Sequence, residues 1–194
     1  MKFRPGDIIG FSAGDCLGAA VNFSTLGWPF LPPCWRGITH VGIVSVNEHG
    51  QNILWESTTL VDQPCLYCGR RHDGVQAHVL ENRIAGYDGY IWRYPLRVHL
   101  DHIQLAQLDR FCAGAHGTPY DAAGAIDSRT LCLGWLVRRF LKEDTSMFFC
   151  SEFTAGALNA MEVWDTPNVS RWNPNRFCRT LLSVGLSSKP RRLK

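Results

Sequence analysis

Two apolar runs, Thr39 to Val46 and Asn52 to Thr59, flank the segment Asn47-Glu48-His49-Gly50. Asn and Gly tolerate the backbone conformations that reverse a chain, while the flanking runs carry the β-branched and aromatic residues that fit a pleated surface. The segment is therefore expected to fold as an antiparallel hairpin. A pairing centred on position 48 sets residue 40 directly opposite residue 56, with Cβ atoms about 5 Å apart on one face. Those residues are His40 and Glu56. An acid inside an apolar strand is costly unless its carboxylate is paired, and His40 is the partner this register supplies. A slip of one residue would send Glu56 to the opposite face.

Further strands are expected from Asp7 to Phe11, from Gly74 to Leu80 and from Gly89 to Tyr94. The small-residue stretch Ala13 to Leu26 has a helical composition and runs into a Pro/Trp-rich loop from Gly27 to Gly37. Ile103, Leu105, Leu108, Phe111 and Cys112 recur at helical spacing between Leu100 and Gly114, and Gly117-Thr118-Pro119 ends that helix. A second helix is expected from Ser128 to Leu141, capped by Asp127 or Ser128, and a third from Cys150 or Ser151 to about Met161. Strands come first and helices later, which is the order of an α+β fold with about three helices on a small antiparallel sheet. The 194 residues make one domain, 1–194, with a Cys-containing loop at about 61–74 and a basic tail at 189–194.

The 45% hydrophobic and 11% aromatic content supports a packed core and excludes a disordered chain. No run reaches the roughly 18 apolar residues of a membrane helix. The start, Met1-Lys2-Phe3-Arg4-Pro5-Gly6-Asp7, lacks a secretory signal pattern, so a cytoplasmic location is expected, with export by a route without a cleaved signal left open. Net charge is +3, much of it in Lys189-Pro190-Arg191-Arg192-Leu193-Lys194. That tail is expected to be solvated and mobile, and with no basic face beside it, no nucleic-acid partner is expected. Cys16, Cys112 and Cys132 lie among Ala and Leu residues and read as small buried hydrophobes, not as a disulfide framework.

Cys150 is different in its setting. Met147-Phe148-Phe149 lead into it, and Ser151-Glu152-Phe153-Thr154-Ala155 open a small-residue helix behind it. A thiol in the first turn of a helix faces unpaired N–H groups and the positive end of the dipole, which favour the nucleophilic thiolate. The same N–H groups suit an oxyanion hole. The alternative for Cys150 is a packing cysteine, and for His40 a hydrogen-bonded strand residue.

Taken together, Pro5-Gly6-Asp7-Ile8-Ile9, Thr39-His40-Val41-Gly42-Ile43, Trp55-Glu56-Ser57-Thr58, Gly117-Thr118-Pro119-Tyr120-Asp121 and Phe149-Cys150-Ser151-Glu152-Phe153 span most of the chain. In this order they resemble the circularly permuted branch of the NlpC-type, papain-like cysteine hydrolases, the YiiX-like group related to the lecithin retinol acyltransferase fold. The resemblance implies a permuted papain-like sheet or half-barrel, with Cys150 as nucleophile, His40 as general base and acid, and Glu56 as the polar third member. It places Tyr120 near the substrate cleft, although a tyrosine packing a loop before a helix is the competing account. Gly6-Asp7 reads as a structural turn. The implied chemistry is hydrolysis of an amide, in a peptide or a peptidoglycan stem, through a thioester acyl-enzyme. An ester or lipid acyl substrate is the alternative within the same fold. Trp28, Phe30, Trp35, Trp55 and Trp92 are candidates for an apolar groove.

The resemblance is poor from Leu60 to Arg71. There Cys65-Leu66-Tyr67-Cys68, with His72 close behind, has the spacing of half a zinc site. A structural site needs four ligands, and only Cys34, His78 or Cys178, brought in by tertiary contact, offer completion. The expectation is no metal and no cofactor, with an irregular loop carrying free thiols. A zinc-stabilised binding module without catalysis is the competing class.

Overall fold

The computed structural model describes residues 2–13, 37–59, 61–120, 149–166, 169 and 172–194. Its centre is a six-stranded, fully antiparallel sheet of order β4-β3-β2-β1-β5-β6. The strands are β1 (Ile8–Ala13), β2 (His40–Val46), β3 (Asn52–Thr58), β4 (Gly74–Val79), β5 (Gly89–Tyr94) and β6 (Arg191–Arg192). Four helices occur among the described residues: α1 (Leu80–Ala85), α2 (His102–Ala115), α3 (Cys150–Ala160) and α4 (Pro174–Ser183). The chain is thus an α+β fold, as its order of strands and helices implies. The expected helices at 13–26 and 128–141, the Trp-bearing loop at 27–37, and Cys16, Cys34 and Cys132 lie outside the described residues, apart from Ala13 and Gly37 at their margins.

Period-two alternation gives the sheet two faces. One carries Ile8, Val41, Ile43, Ile53, Trp55, Val75 and Ala77, packed against Leu108, Phe153, Leu158, Phe177 and Leu181 of the long helices. The other carries Ile9, Phe11, Val44, Leu54 and Ile91, covered by Leu80 and Ile84 of the short α1 and by Phe3 and Leu193 near the chain ends. Helix α2 starts at a capping box: Asp101 accepts the Gln104 N–H at 2.8 Å, and the Gln104 side chain accepts the Asp101 N–H at 3.1 Å.

Three features depart from expectation. The segment read as a strand to Leu80 ends at Val79, and Leu80-Glu81-Asn82-Arg83-Ile84-Ala85, all competent helix residues, turn into α1. Helix α4 was not anticipated, although Asn173 caps it by accepting the Arg176 N–H at 2.8 Å and Pro174 sits at its start. The basic tail is not a loose terminus: Arg191 and Arg192 pair with Arg93 and Trp92, and the Lys194 ammonium donates to the Tyr87 carbonyl at 2.5 Å. Backbone pairing overrides the charge of the segment, because β5 would otherwise expose an unpaired edge. Asp7, wholly buried, accepts the Leu96 and Arg4 N–H groups and pairs with Arg93 at 2.6 Å, so it ties the first turn to β5.

Candidate active site

The hairpin forms where expected, with Asn47 Oδ1 accepting the His49 and Gln51 N–H groups at 3.1 and 2.9 Å. Its register differs. Ile43 faces Trp55 and Val44 faces Leu54, so the pairing is centred on position 49 rather than 48. The change moves the pairing by two positions, which preserves the face and makes the His40–Glu56 relation diagonal instead of direct. Gly42 makes the diagonal possible. A Cβ there would lie 3.2 Å from Glu56 Cβ, 2.9 Å from Leu54 and 2.7 Å from the Trp55 carbonyl oxygen. With no side chain at 42, the Glu56 carboxylate reaches along the strand to His40 Nε2 at 2.5 Å.

Glu56 is fully buried and accepts from three side chains. Arg83 of α1 clamps it with both Nε (2.7 Å) and Nη2 (3.2 Å), and His78 Nδ1 of β4 meets Oε1 at 3.1 Å. Sequence reasoning named His40 as partner but missed the Arg83 clamp, and set His78 down as a spare metal ligand. The available signal was the cost of a lone buried acid, which calls for more than one donor. Burial alone would raise the Glu56 pKa, but the Arg83 guanidinium, His40 and His78 hold it well below the usual carboxylate range.

A carboxylate only accepts, so the ring nitrogen of His40 that meets it, Nε2, carries a proton. Nδ1 is then left for Cys150. Cys150 opens α3, whose body packs on the other face of the sheet, and the two residues meet at the margin where β2 begins. The cap residue Phe149 makes no side-chain hydrogen bond to the first turn of α3. The backbone ahead of His40 is fixed by Asn175 of α4, whose side-chain oxygen accepts the Ile38 N–H at 2.6 Å. Burial opposes a charged His40, but negative charge and a hydrogen bond at Cys150, together with Glu56, outweigh it and raise the His40 pKa from 6.5 to about 9. In Cys150→Ala the His40 titration, followed by NMR of its ring protons, is expected to fall below about 9, since burial stays while the largest raising influence goes. An unmoved midpoint would mean that Cys150 does not act on His40.

The other cysteines differ. Cys112 is buried in the core and its thiol is pushed well up, as is that of Cys178, chiefly by burial. Neither is a suitable nucleophile. Trp55 is buried and donates to Ser45 Oγ at 3.2 Å, and with Ser45, Tyr67, Asp109 and His116 it also lines a cavity on the helix-covered side of the sheet. Tyr120 is half-buried at the end of the turn that follows α2.

A second cluster gathers elsewhere. Cys65, Cys68, His72 and His116 place their ligand atoms within 4.8 Å of one another. Cys65, Cys68 and His72 are the residues whose spacing suggested half a zinc site; His116, at the end of α2, is the member the sequence did not disclose. Cys178 and His78 take other partners: Tyr94 and Glu56.

An open antiparallel sheet with helices massed on one face, and an acid–histidine pair meeting a helix-start cysteine at its margin, define the architecture. Among solved structures the chain is similar to the metalloprotein YiiX from Escherichia coli O157:H7, with 16% sequence identity and a TM-score of 0.54 over 84% of this chain and 68% of that one. No protein-family model and no curated protein sequence matches the chain. No helix among the described residues is long and apolar enough to cross a membrane.

Proposed function

We propose that the chain is a cysteine hydrolase of the permuted papain-like, NlpC-like kind, cleaving an amide in a peptide or peptidoglycan stem. The observation that carries this is the chain of contacts from Arg83 through Glu56 to His40 and on to Cys150. Structural packing has no need to hold an imidazolium against a thiol at a helix start, whereas nucleophilic catalysis does. The Cys150 thiolate attacks the carbonyl, and the first-turn N–H groups of α3 receive the oxyanion. His40 passes its proton to the leaving amine, and water, activated by the now neutral His40, then releases the thioester. Glu56 orients His40 and stabilises its charged form, and Tyr120 contributes to the cleft. An ester or lipid acyl bond is the alternative substrate, because the same groups serve it.

A thiol-directed acylating probe tests the site without knowledge of the substrate. It is expected to label Cys150 in the wild type, and labelling is expected to drop at least about tenfold in His40→Ala, as the thiolate loses its counter-ion. Labelling confined to Cys65 or Cys68 would refute the proposal. A panel of peptides, peptidoglycan fragments and acyl esters then identifies the bond. The competing class, a non-catalytic module held by metal, is favoured by the Cys65–His116 cluster alone. YiiX is described as a metalloprotein, but the candidate ligands here exclude His40, Glu56 and Cys150.

A further inference from the structure

We propose that Cys65, Cys68, His72 and His116 bind one Zn2+ as a closed structural site, which fastens the 61–73 loop to the end of α2 and the edge of β4. This does not depend on the hydrolase proposal.

The loop needs such a fastening. Of residues 61–73, Cys65 is the one that is buried, while Leu66 and Tyr67 remain 42% and 57% exposed. A segment of this length with one buried side chain gains little from the hydrophobic effect to offset its ordering entropy. Its backbone nevertheless forms a tight turn: the Gly69 N–H donates to the Cys65 carbonyl at 2.9 Å, and the Cys65 N–H to the Arg70 carbonyl at 3.0 Å. Gly69 adopts φ +66°, a conformation that favours glycine and closes the turn so that the two thiols share one side.

The other two ligands arrive on separately anchored backbone. His116 follows α2, and the next residues lock onto β4, with Gly117 N–H donating to Val75 O and Val75 N–H to Thr118 O, both at 2.9 Å. The loop is held to the same strand by Leu66 N–H on Ala77 O at 2.8 Å. His72 directs Nδ1 to the Asp73 carbonyl at 3.0 Å, which requires the proton on Nδ1 and leaves a lone pair on Nε2. That Nε2 is buried and has no hydrogen-bond partner among the described residues. A metal ion is the partner it lacks.

The dimensions and chemistry suit zinc. Zn–S of about 2.3 Å and Zn–N of about 2.0 Å imply tetrahedral edges of about 3.3–3.8 Å. Cys65 Sγ and His116 Nε2 are 3.3 Å apart, and the whole set lies within 4.8 Å, so small rotamer adjustments close the site. Two thiolates with two imidazoles are borderline-soft ligands that complete zinc's coordination and leave no open position for catalysis. Tyr67, between the two cysteines, stacks on Trp55 with centroids 5.2 Å apart. The fastened loop therefore braces β3 one residue before Glu56.

The experiment uses the full chain. Wild type purified without chelator is expected to contain one zinc per chain, and Co2+ added after zinc removal is expected to give a thiolate charge-transfer band with tetrahedral d–d absorption. Cys68→Ser and His116→Ala are expected to lose the stoichiometric zinc, whereas Cys112→Ser and Cys150→Ala keep it. Zinc removal is expected to speed tryptic cleavage at Arg70 and Arg71. The Co2+ spectrum of the wild type decides the matter even if a variant fails to fold. A weak octahedral spectrum without the thiolate band, or stoichiometric zinc retained in Cys68→Ser and His116→Ala, would overturn the site. Neither result bears on Cys150 labelling, so the two proposals fail separately.

Discussion

Cys150→Ala is expected to lower turnover of any substrate found for this protein by about 10⁴-fold or more, while leaving the fold intact. The size follows from the proposed role. Removing a nucleophile abolishes the covalent route, and only the oxyanion site and binding remain to accelerate attack by water. The cost in stability is small, about 1 kcal/mol, because one sulfur is lost from a nearly buried site next to a polar cluster. Kinetics on the variant, alongside its thermal unfolding curve, separate the two effects. His40→Ala is expected to fall nearly as far, and the double variant scarcely further, since residues that act as a unit do not add. Substantial turnover by folded Cys150→Ala would rule out acyl-enzyme chemistry at this residue.

The largest effect on stability is expected at Glu56. Glu56→Gln keeps the shape of the side chain but leaves the Arg83 guanidinium, which clamps the carboxylate through two nitrogens, without its counter-charge in a buried position. Breaking one side of such a pair costs about 3–5 kcal/mol. Urea unfolding is expected to show the midpoint shifted by that amount with an unchanged slope. Arg83→Met, which removes the other side, is the informative comparison, because the His40 and His78 contacts to the carboxylate remain. A loss below about 1 kcal/mol in Glu56→Gln would mean that Arg83 finds water or another acceptor.

The pH dependence has opposite signs at the two ends of this pair. The Glu56 pKa is depressed from 4.5, so its contribution is present above that value and is lost as pH falls towards its lowered native pKa. The His40 pKa is raised, so its contribution is complete below 6.5 and disappears as pH rises through about 9. Stability of the wild type is therefore expected to be greatest between these windows, and Glu56→Gln to flatten the acid flank more than the alkaline one, since Cys150 supplies the largest raising influence on His40.

What the sequence determined by itself was local. The Asn47–Gly50 turn, the alternation in β2 and β3, the helical spacing between Leu100 and Gly114 and the helix-start setting of Cys150 each depend on residues a few positions apart, whose preferences are read from side-chain chemistry and spacing. These suffice for an α+β fold, for His40 and Glu56 on a common face, and for a thiol at a helix N-terminus. The tertiary structure decided everything that depends on distant partners. The hairpin register is centred on position 49 because the turn closes on Asn47 and Gln51, with the Asn47 N–H donating to the Gln51 carbonyl at 3.0 Å, and it is across the finished pair of strands that Gly42 lets Glu56 reach His40 diagonally. Arg83 meets Glu56 from 27 positions away, and His116 meets Cys65 across 51. The tail became a strand because β5 offered it an edge. No local pattern encodes such meetings, since they are selected by the packing of elements that the chain brings together only when the fold is complete.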